Sequence, residues 1–320
     1  MRHRKKDSVW LCLSQGADRP TFSAERLMIS VMKNFFKLDK PTLSFEIFPP
    51  KGTGDLSKIF AAVDGLASLD PDLISVTYGA GGTSRENTAE IASRIQNEYA
   101  IPALAHLTCV GSTSAEMRQT LDKLQSLGVK NILAMRGDIG EEGTKDFSHA
   151  SDLIRFIKEN YKFNIFAACY PEKHIEAYSM EEDLEHLREK CACGVDVLIS
   201  QLFFDNSLFF RFRDSVRKLG ITAPIEAGIM PITSPTQISR MVAMCGASIP
   251  DAVQKIILAY GHNSMAMREA GIAYATNQII DLLAGGVDGI HLYTMNQPEI
   301  AKRICENIRG VLYSLRVKRA

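Results

Sequence analysis

Charge of one sign is not in excess here: 37 Lys and Arg stand against 37 Asp and Glu, and no basic block occurs. Nucleic-acid and anionic-membrane binding draw on just such an excess, so neither partner is expected. No stretch approaches the roughly 18 unbroken apolar residues of a membrane span. There is no HExxH, no paired CxxC and no calcium loop, so no metal is expected. The seven cysteines are odd in number and scattered, which points to a reducing, cytoplasmic setting. Cys191 and Cys193 are the only close pair. Two residues apart on a helix, they face different ways and read as packing residues rather than metal ligands.

What is present is ordinary in composition and regular in order. The 320 residues are 46% apolar and 23% charged, enough chain for a large core. Residues 1–40 have no clear period and contain internal Met28 and Met32. They are expected to be a poorly ordered N-terminal extension, with residues 41–320 forming a single catalytic domain. From residue 42 short β-rich runs alternate with helical periods. Eight strands are expected, at 42–48, 73–78, 102–108, 131–135, 164–170, 196–202, 224–229 and 289–294. The helices carry their own punctuation. Thr113-x-x-Glu116 and Ser179-x-x-Glu182 read as capping boxes, and Ser234-Pro235 reads as an N-cap with a first-turn proline. The interval from Pro250 to Gly286 is expected to hold two helices. Alternation of this kind implies parallel strands and right-handed crossovers. A doubly wound open sheet is an alternative, but a count of eight favours a closed α/β fold, the (β/α)8 TIM barrel with an N-terminal extension.

In such a barrel, chemistry sits at the carboxyl ends of the strands. Leu43, Phe45 and Ile47 share one face of the first strand, and Ser44 and Glu46 share the other. If the apolar set packs on helices, Glu46 points into the barrel mouth. An acid inside an apolar strand is costly unless paired or protonated, and such acids cluster at active sites. The other strand ends are polar as well: Thr77, His106 and Thr108, Arg136 and Asp138, Tyr170 and His174, Gln201, His291 and Tyr293. Two glycine-rich stretches are not nucleotide fingerprints. Gly79 to Ser84 has serine where the third glycine belongs, and Gly137 to Lys145 has no terminal Gly-Lys-Ser/Thr. Both are expected to turn tightly or let backbone approach a ligand.

Six motifs occur in order: Phe45-Glu46-Ile47-Phe48-Pro49-Pro50-Lys51, Ser75-Val76-Thr77-Tyr78-Gly79-Ala80, Ala105-His106-Leu107-Thr108-Cys109, Leu133-Ala134-Met135-Arg136-Gly137-Asp138, Tyr170-Pro171-Glu172-Lys173-His174 and His291-Leu292-Tyr293-Thr294-Met295-Asn296. Together, over about residues 42 to 310, they resemble the methylenetetrahydrofolate reductases of the short, bacterial type. No regulatory domain is expected after the barrel.

The resemblance implies a barrel that holds FAD, takes hydride from NADH or NADPH in a ping-pong cycle, and converts 5,10-methylenetetrahydrofolate to 5-methyltetrahydrofolate. It implies that Glu46 is the general acid and that Asp138 stabilises the ring-opened cation. It places Thr77, His106, Arg136, Gly137, Asp138, His149, Ala150, Tyr170, His174, Asp183, His186 and Lys190 around the cofactor, and Glu46, Gln201, Gln237 and Gln297 around the folate. Some positions depart from the pattern. His149 stands for a common Tyr, His186 for Asn, Glu189 for Arg, Gln297 for the Arg that grips the glutamate tail, and Met241 for an aromatic residue. An assembly of identical chains is expected. Neither a fingerprint acid nor a 2′-phosphate site chooses between the nicotinamides. Two other readings stand beside this one: a cofactor-free barrel lyase or aldolase using Glu46, and a non-catalytic flavin- or folate-binding barrel.

Overall fold

The computed structural model describes residues 40–50, 54–78, 82–138 and 144–317, with the backbone course alone for 82–86. The expected extension therefore lies outside the described residues. Eight parallel strands close into a barrel in sequence order: β1 (Thr42–Ile47), β2 (Leu73–Val76), β3 (Ala103–Thr108), β4 (Asn131–Met135), β5 (Asn164–Cys169), β6 (Val197–Ser200), β7 (Ile225–Ile229) and β8 (Gly289–Tyr293). The fold is the (β/α)8 barrel that the alternation implied, and the open doubly wound sheet is excluded by the β1–β8 pairing. β4 matches its expected run and the others are one to three residues shorter; β3 and β7 lose their first proline, and elsewhere the trimmed residues fall mainly in the loops at the mouth.

The helices follow in order: α1 (Ser57–Ala67), α2 (Gly82–Asn97), α3 (Ser114–Ser126), α4 (Ala150–Asn160), α5 (Met180–Ala192), α6 (Asn206–Lys218), α7 (Pro235–Cys245), α8 (Asp251–Tyr260), α9 (Ser264–Ala284) and α10 (Pro298–Val317). The interval before β8 does hold two helices, α8 and α9. Thr113 and Glu116 form the reciprocal capping box at α3. At α5 the box is half made. Ser179 accepts from the Glu182 N–H, but the Glu182 carboxylate accepts instead from the Tyr178 N–H at 2.6 Å. Ser234 caps α7 with Pro235 in its first turn, and Gly246 ends it in the left-handed region. α2 starts at Gly82, earlier than the apolar period suggests, so Gly82, Thr83 and Ser84 form helix rather than a turn. Its first turn is polar and carries no apolar stripe that a sequence period could register. Among the described residues no helix is long and apolar enough to cross a membrane.

The alternation within strands creates two cores. Leu43, Phe45, Ile47 and their counterparts on other strands pack outward on the helices. Inside the barrel, Leu73, Leu104, Leu133, Phe166, Val197 and Ile199 form a separate apolar cluster on β2 to β6. The β7–β8–β1 side of the interior is different. There Thr42, Ser44, Glu46, Glu226 and His291 are all buried polar residues. Gly289 makes that side possible. A Cβ on it would lie 2.0 Å from Thr42 Oγ1 and 3.0 Å from Glu226 Cγ, so only glycine leaves room for the pair.

Candidate active site

Glu46 turns inward, as the strand alternation required, and its side chain is only 9% exposed. Its Oε2 lies 3.5 Å from His106 Nε2 on β3 and 3.5 Å from His291 Nε2 on β8. Both of those ring nitrogens are buried and have no hydrogen-bond partner. One carboxyl oxygen is thus cradled between two imidazole edges that come from strands far apart in sequence. The two rings differ electrostatically. Burial pushes His106 down to about 4, against the pull of Glu46, so it is neutral at pH 7. Burial also works against protonation of His291, but its contacts with Glu226 and Glu46 outweigh this and push it up to about 9.

The segment after β8 holds the end of β1 in place. Thr294 Oγ1 donates to the Glu46 carbonyl at 2.6 Å. Asn296 clasps the backbone of Phe48 twice, accepting from its N–H at 2.8 Å and donating to its carbonyl at 2.9 Å. Met295 and Asn296 reach these positions at φ of 52° and 55°, a left-handed conformation that costs energy for side-chain-bearing residues and persists where surroundings enforce it. The Tyr293-Thr294-Met295-Asn296 motif therefore acts partly as a clamp on the strand that carries Glu46.

A second group gathers after β4 and β5. Lys190 on α5 is half-buried, and its Nζ donates to the Ala168 carbonyl at 2.6 Å, 5.9 Å from the centre of the Tyr170 ring. Burial lowers its pKa against the attraction of Asp183. Asp183 is itself buried and accepts from the His174 N–H at 3.1 Å. Tyr170 and His174 meet edge to face at 4.7 Å. Arg136 makes a two-pronged pair with Glu176, 2.7 Å at each prong. Gly137 sits at φ +88°, and a Cβ there would lie 2.9 Å from Thr108 Cβ. Its backbone therefore passes too close to Thr108 and Val110 to carry a side chain. Asp138 follows it and is exposed.

The remaining expected residues are more dispersed. Thr77 is half-buried at the end of β2, and its carbonyl accepts from Thr88 Oγ1 at 2.9 Å. His149 caps the start of α4, where Ala150 begins the helix, and its side chain is 73% exposed. His186 is exposed on α5. Glu189 lines a surface groove of ≈ 610 Å³ between α4 and α5 that also contains Arg155 and Lys158, so cations lie on the facing helix. Gln201 follows β6, with its side-chain carbonyl accepting from the Leu202 N–H at 2.8 Å. Gln237 on α7 accepts from the Thr233 N–H at 3.1 Å, while its buried amide nitrogen has no partner. Gln297 lines a groove of ≈ 470 Å³ with Thr233, Arg268 and Arg303. Met241 packs against the small apolar cluster beneath α7 and α8.

The sequence reading passed over Glu226, which is fully buried on β7. Its Oε1 accepts from Thr42 Oγ1 at 2.6 Å and its Oε2 from Ser44 Oγ at 2.7 Å. The signal was available: an acid between Ile225 and Ala227 in an apolar strand is the same anomaly that marked Glu46.

The sequence comparisons agree with the motif order. The family model "Methylenetetrahydrofolate reductase" matches residues 32–309. The 5,10-methylenetetrahydrofolate reductase of Escherichia coli is 33% identical over 266 residues, covering 83% of this chain and 90% of that protein. Methylenetetrahydrofolate reductase (NADH) 1 of Arabidopsis thaliana is 33% identical over 312 residues, 92% of this chain but 52% of that protein. The chain thus spans about half the length of the plant relatives it matches. A solved Clostridium thermocellum protein, described as binding two copies of 5-methyl-5,6,7,8-tetrahydrofolic acid, shares the fold at a TM-score of 0.59 and 14% identity, over 88% of this chain and 99% of that one. Motifs, barrel and the matched span lead to one conclusion: the chain belongs to the methylenetetrahydrofolate reductase family.

Proposed function

We propose that the protein reduces 5,10-methylenetetrahydrofolate to 5-methyltetrahydrofolate with electrons from NADH or NADPH, through FAD bound at the barrel mouth and in a ping-pong cycle. The observation that carries this reading is the Glu46 carboxyl, buried at the mouth and held between His106 and His291. A buried carboxyl at that rim, within reach of two imidazoles, suits general acid catalysis.

The residues present fit a flavin. Lys190 and Arg136 both act on His174 and are suited to a diphosphate, with Gly137 keeping the end of β4 free of a side chain. The buried, unpartnered Nε2 atoms of His106 and Gln237 leave polar groups for a ligand to satisfy. Asp183, Tyr170 and His174 support the Lys190 and Arg136 side, and Thr77 after β2 is assigned to the same cofactor. We assign His149 and Ala150, at the start of α4, and the exposed His186 on α5 to the adenosine end. When bound, FAD supplies the hydride chemistry. Glu46 holds a proton and delivers it to the nitrogen released as the five-membered folate ring opens. Asp138 stabilises the positive charge that develops on the opened folate. Gln201 and Gln237 orient the pteridine, and Gln297 meets the glutamate tail as a neutral amide. The same reading takes the protein to be a cytoplasmic assembly of identical chains. Its described cysteines are free thiols, which fits a reducing compartment.

The test is an anaerobic titration in two halves. The purified protein should take up FAD, bleach with NADH or NADPH, and regain its colour with methylenetetrahydrofolate. A preparation that stays colourless after FAD is added would favour a cofactor-free lyase. One that bleaches but is not reoxidised by the folate would favour a binding protein.

A further inference from the structure

Beneath the mouth lies a carboxylate that the proposed chemistry does not use. Glu226 is fully buried, and each of its oxygens accepts one hydroxyl, from Thr42 at 2.6 Å and from Ser44 at 2.7 Å. Ser44 Oγ is also 2.7 Å from His291 Nδ1. The serine has one proton, and it points to Glu226, so the serine oxygen accepts from Nδ1–H. The result is a continuous line: Glu46 Oε2, His291 Nε2 at 3.5 Å, His291 Nδ1, Ser44 and Glu226, with Glu226 Oε2 itself 3.6 Å from Nδ1. One imidazole stands between two buried acids, and only one acid can be balanced by it.

We propose that Glu226 is a positioning residue that engages the positive charge of His291 from below and thereby leaves Glu46 as the acid that keeps its proton. This rests on the reading of Glu46 as proton donor. The argument is one of charge balance in a dry cavity. With Glu226 ionised and His291 protonated, the inner pair is neutral. Ionising Glu46 as well would leave one negative charge uncompensated, which burial opposes. If Glu226 were neutral, His291 would pair with Glu46 instead, and the site would hold a carboxylate where a proton donor is needed. The contact with Glu226 raises the affinity of His291 for its proton against the opposing effect of burial. The other groups facing the cluster do not reverse the balance. His106 on β3 is neutral at pH 7, and Tyr293 on β8 is held protonated by burial. Asp72, before β2 at the base of the barrel, is paired with Arg316 of α10. Thr42 and Ser44 carry no charge.

Isotope-edited infrared spectroscopy of the full chain, with labelled glutamate side chains, tests this without depending on turnover. At neutral pH the wild-type protein should show the band of a buried protonated carboxyl, and Glu46→Gln should abolish it. A band that survives in Glu46→Gln, or no band in the wild type, overturns the proposal even if the Glu226 variants do not fold. In Glu226→Gln the Glu46 band should weaken at neutral pH, and the folate half-reaction at neutral pH should slow by about tenfold. Reduction of the flavin by nicotinamide should be unaffected. Glu226→Asp, which keeps the charge, should restore the wild-type band. An unchanged band and pH profile in Glu226→Gln would refute the inference. A band that behaves as stated, with folate reduction indifferent to Glu46→Gln, would leave the charge arrangement standing and reject the role of Glu46.

Discussion

In the proposed reaction, individual side chains at the barrel mouth divide the work by charge. Asp138 is exposed beside Arg136, where its negative charge can meet a cationic folate but would oppose the accumulation of electrons on a nearby flavin. Asp138→Asn is therefore expected to slow reoxidation by methylenetetrahydrofolate about a hundredfold and to slow reduction by NAD(P)H far less. Stopped-flow absorbance of the two half-reactions checks the ordering, and the reverse ordering would remove Asp138 from the chemistry. Gly289 shows how tightly the inner acid is housed. Gly289→Ala places a methyl group against Thr42 Oγ1 and Glu226 Cγ, and should cost about 1–3 kcal/mol in urea unfolding as an overpacked core position. Tolerance of alanine there without loss would mean that the Thr42–Glu226 contact is looser than described.

At the level of elements, the site depends on what joins the last strand to the first. The Asn296 clasp on Phe48 and the Thr294 hydroxyl on the Glu46 carbonyl tie the loop after β8 to the end of β1. Asn296→Ala deletes two hydrogen bonds to backbone and should destabilise the protein by about 1–3 kcal/mol. It should also slow the folate half-reaction more than the nicotinamide one, because β1 carries the acid. Equal slowing of both, measured on folded variant, would show the clasp to be general scaffolding. This closure is also where sequence reasoning stopped. The strand and helix periods, the caps at Thr113 and Ser234 and the inward side of Glu46 are local patterns of period 2 or 3.6, and all could be read directly. Which side chains meet across the barrel is not local. The cradle of His106 and His291 around Glu46 spans three strands, and the bond from Ser44 to Glu226 joins residues 182 apart in sequence. Glu226 was passed over because it does not stand at a strand end. His149 and His186 were expected by resemblance and lie in exposed positions, where nothing in their own burial marks them.

For the whole molecule, the two inward histidines give stability opposite dependences on pH. His106 takes its proton only near 4 in the fold and near 6.5 when unfolded, so between those values the unfolded chain binds more protons and stability falls as pH falls. His291 keeps its proton to about 9, so its contribution is fully present below 6.5 and is lost as pH rises through 9. Thermal unfolding followed by circular dichroism should show the two limbs, with His106→Gln flattening the acid one and His291→Gln the alkaline one. The barrel brings both rings to a single acid, and the catalytic reading depends on that acid carrying a proton. The most direct measurement of it is the rate of each half-reaction in Glu46→Gln, which keeps the shape of the side chain and removes its proton. Flavin reduction by NAD(P)H should proceed at close to the wild-type rate while methylenetetrahydrofolate fails to reoxidise it. Reoxidation at an undiminished rate would contradict the assignment of Glu46 as the proton donor.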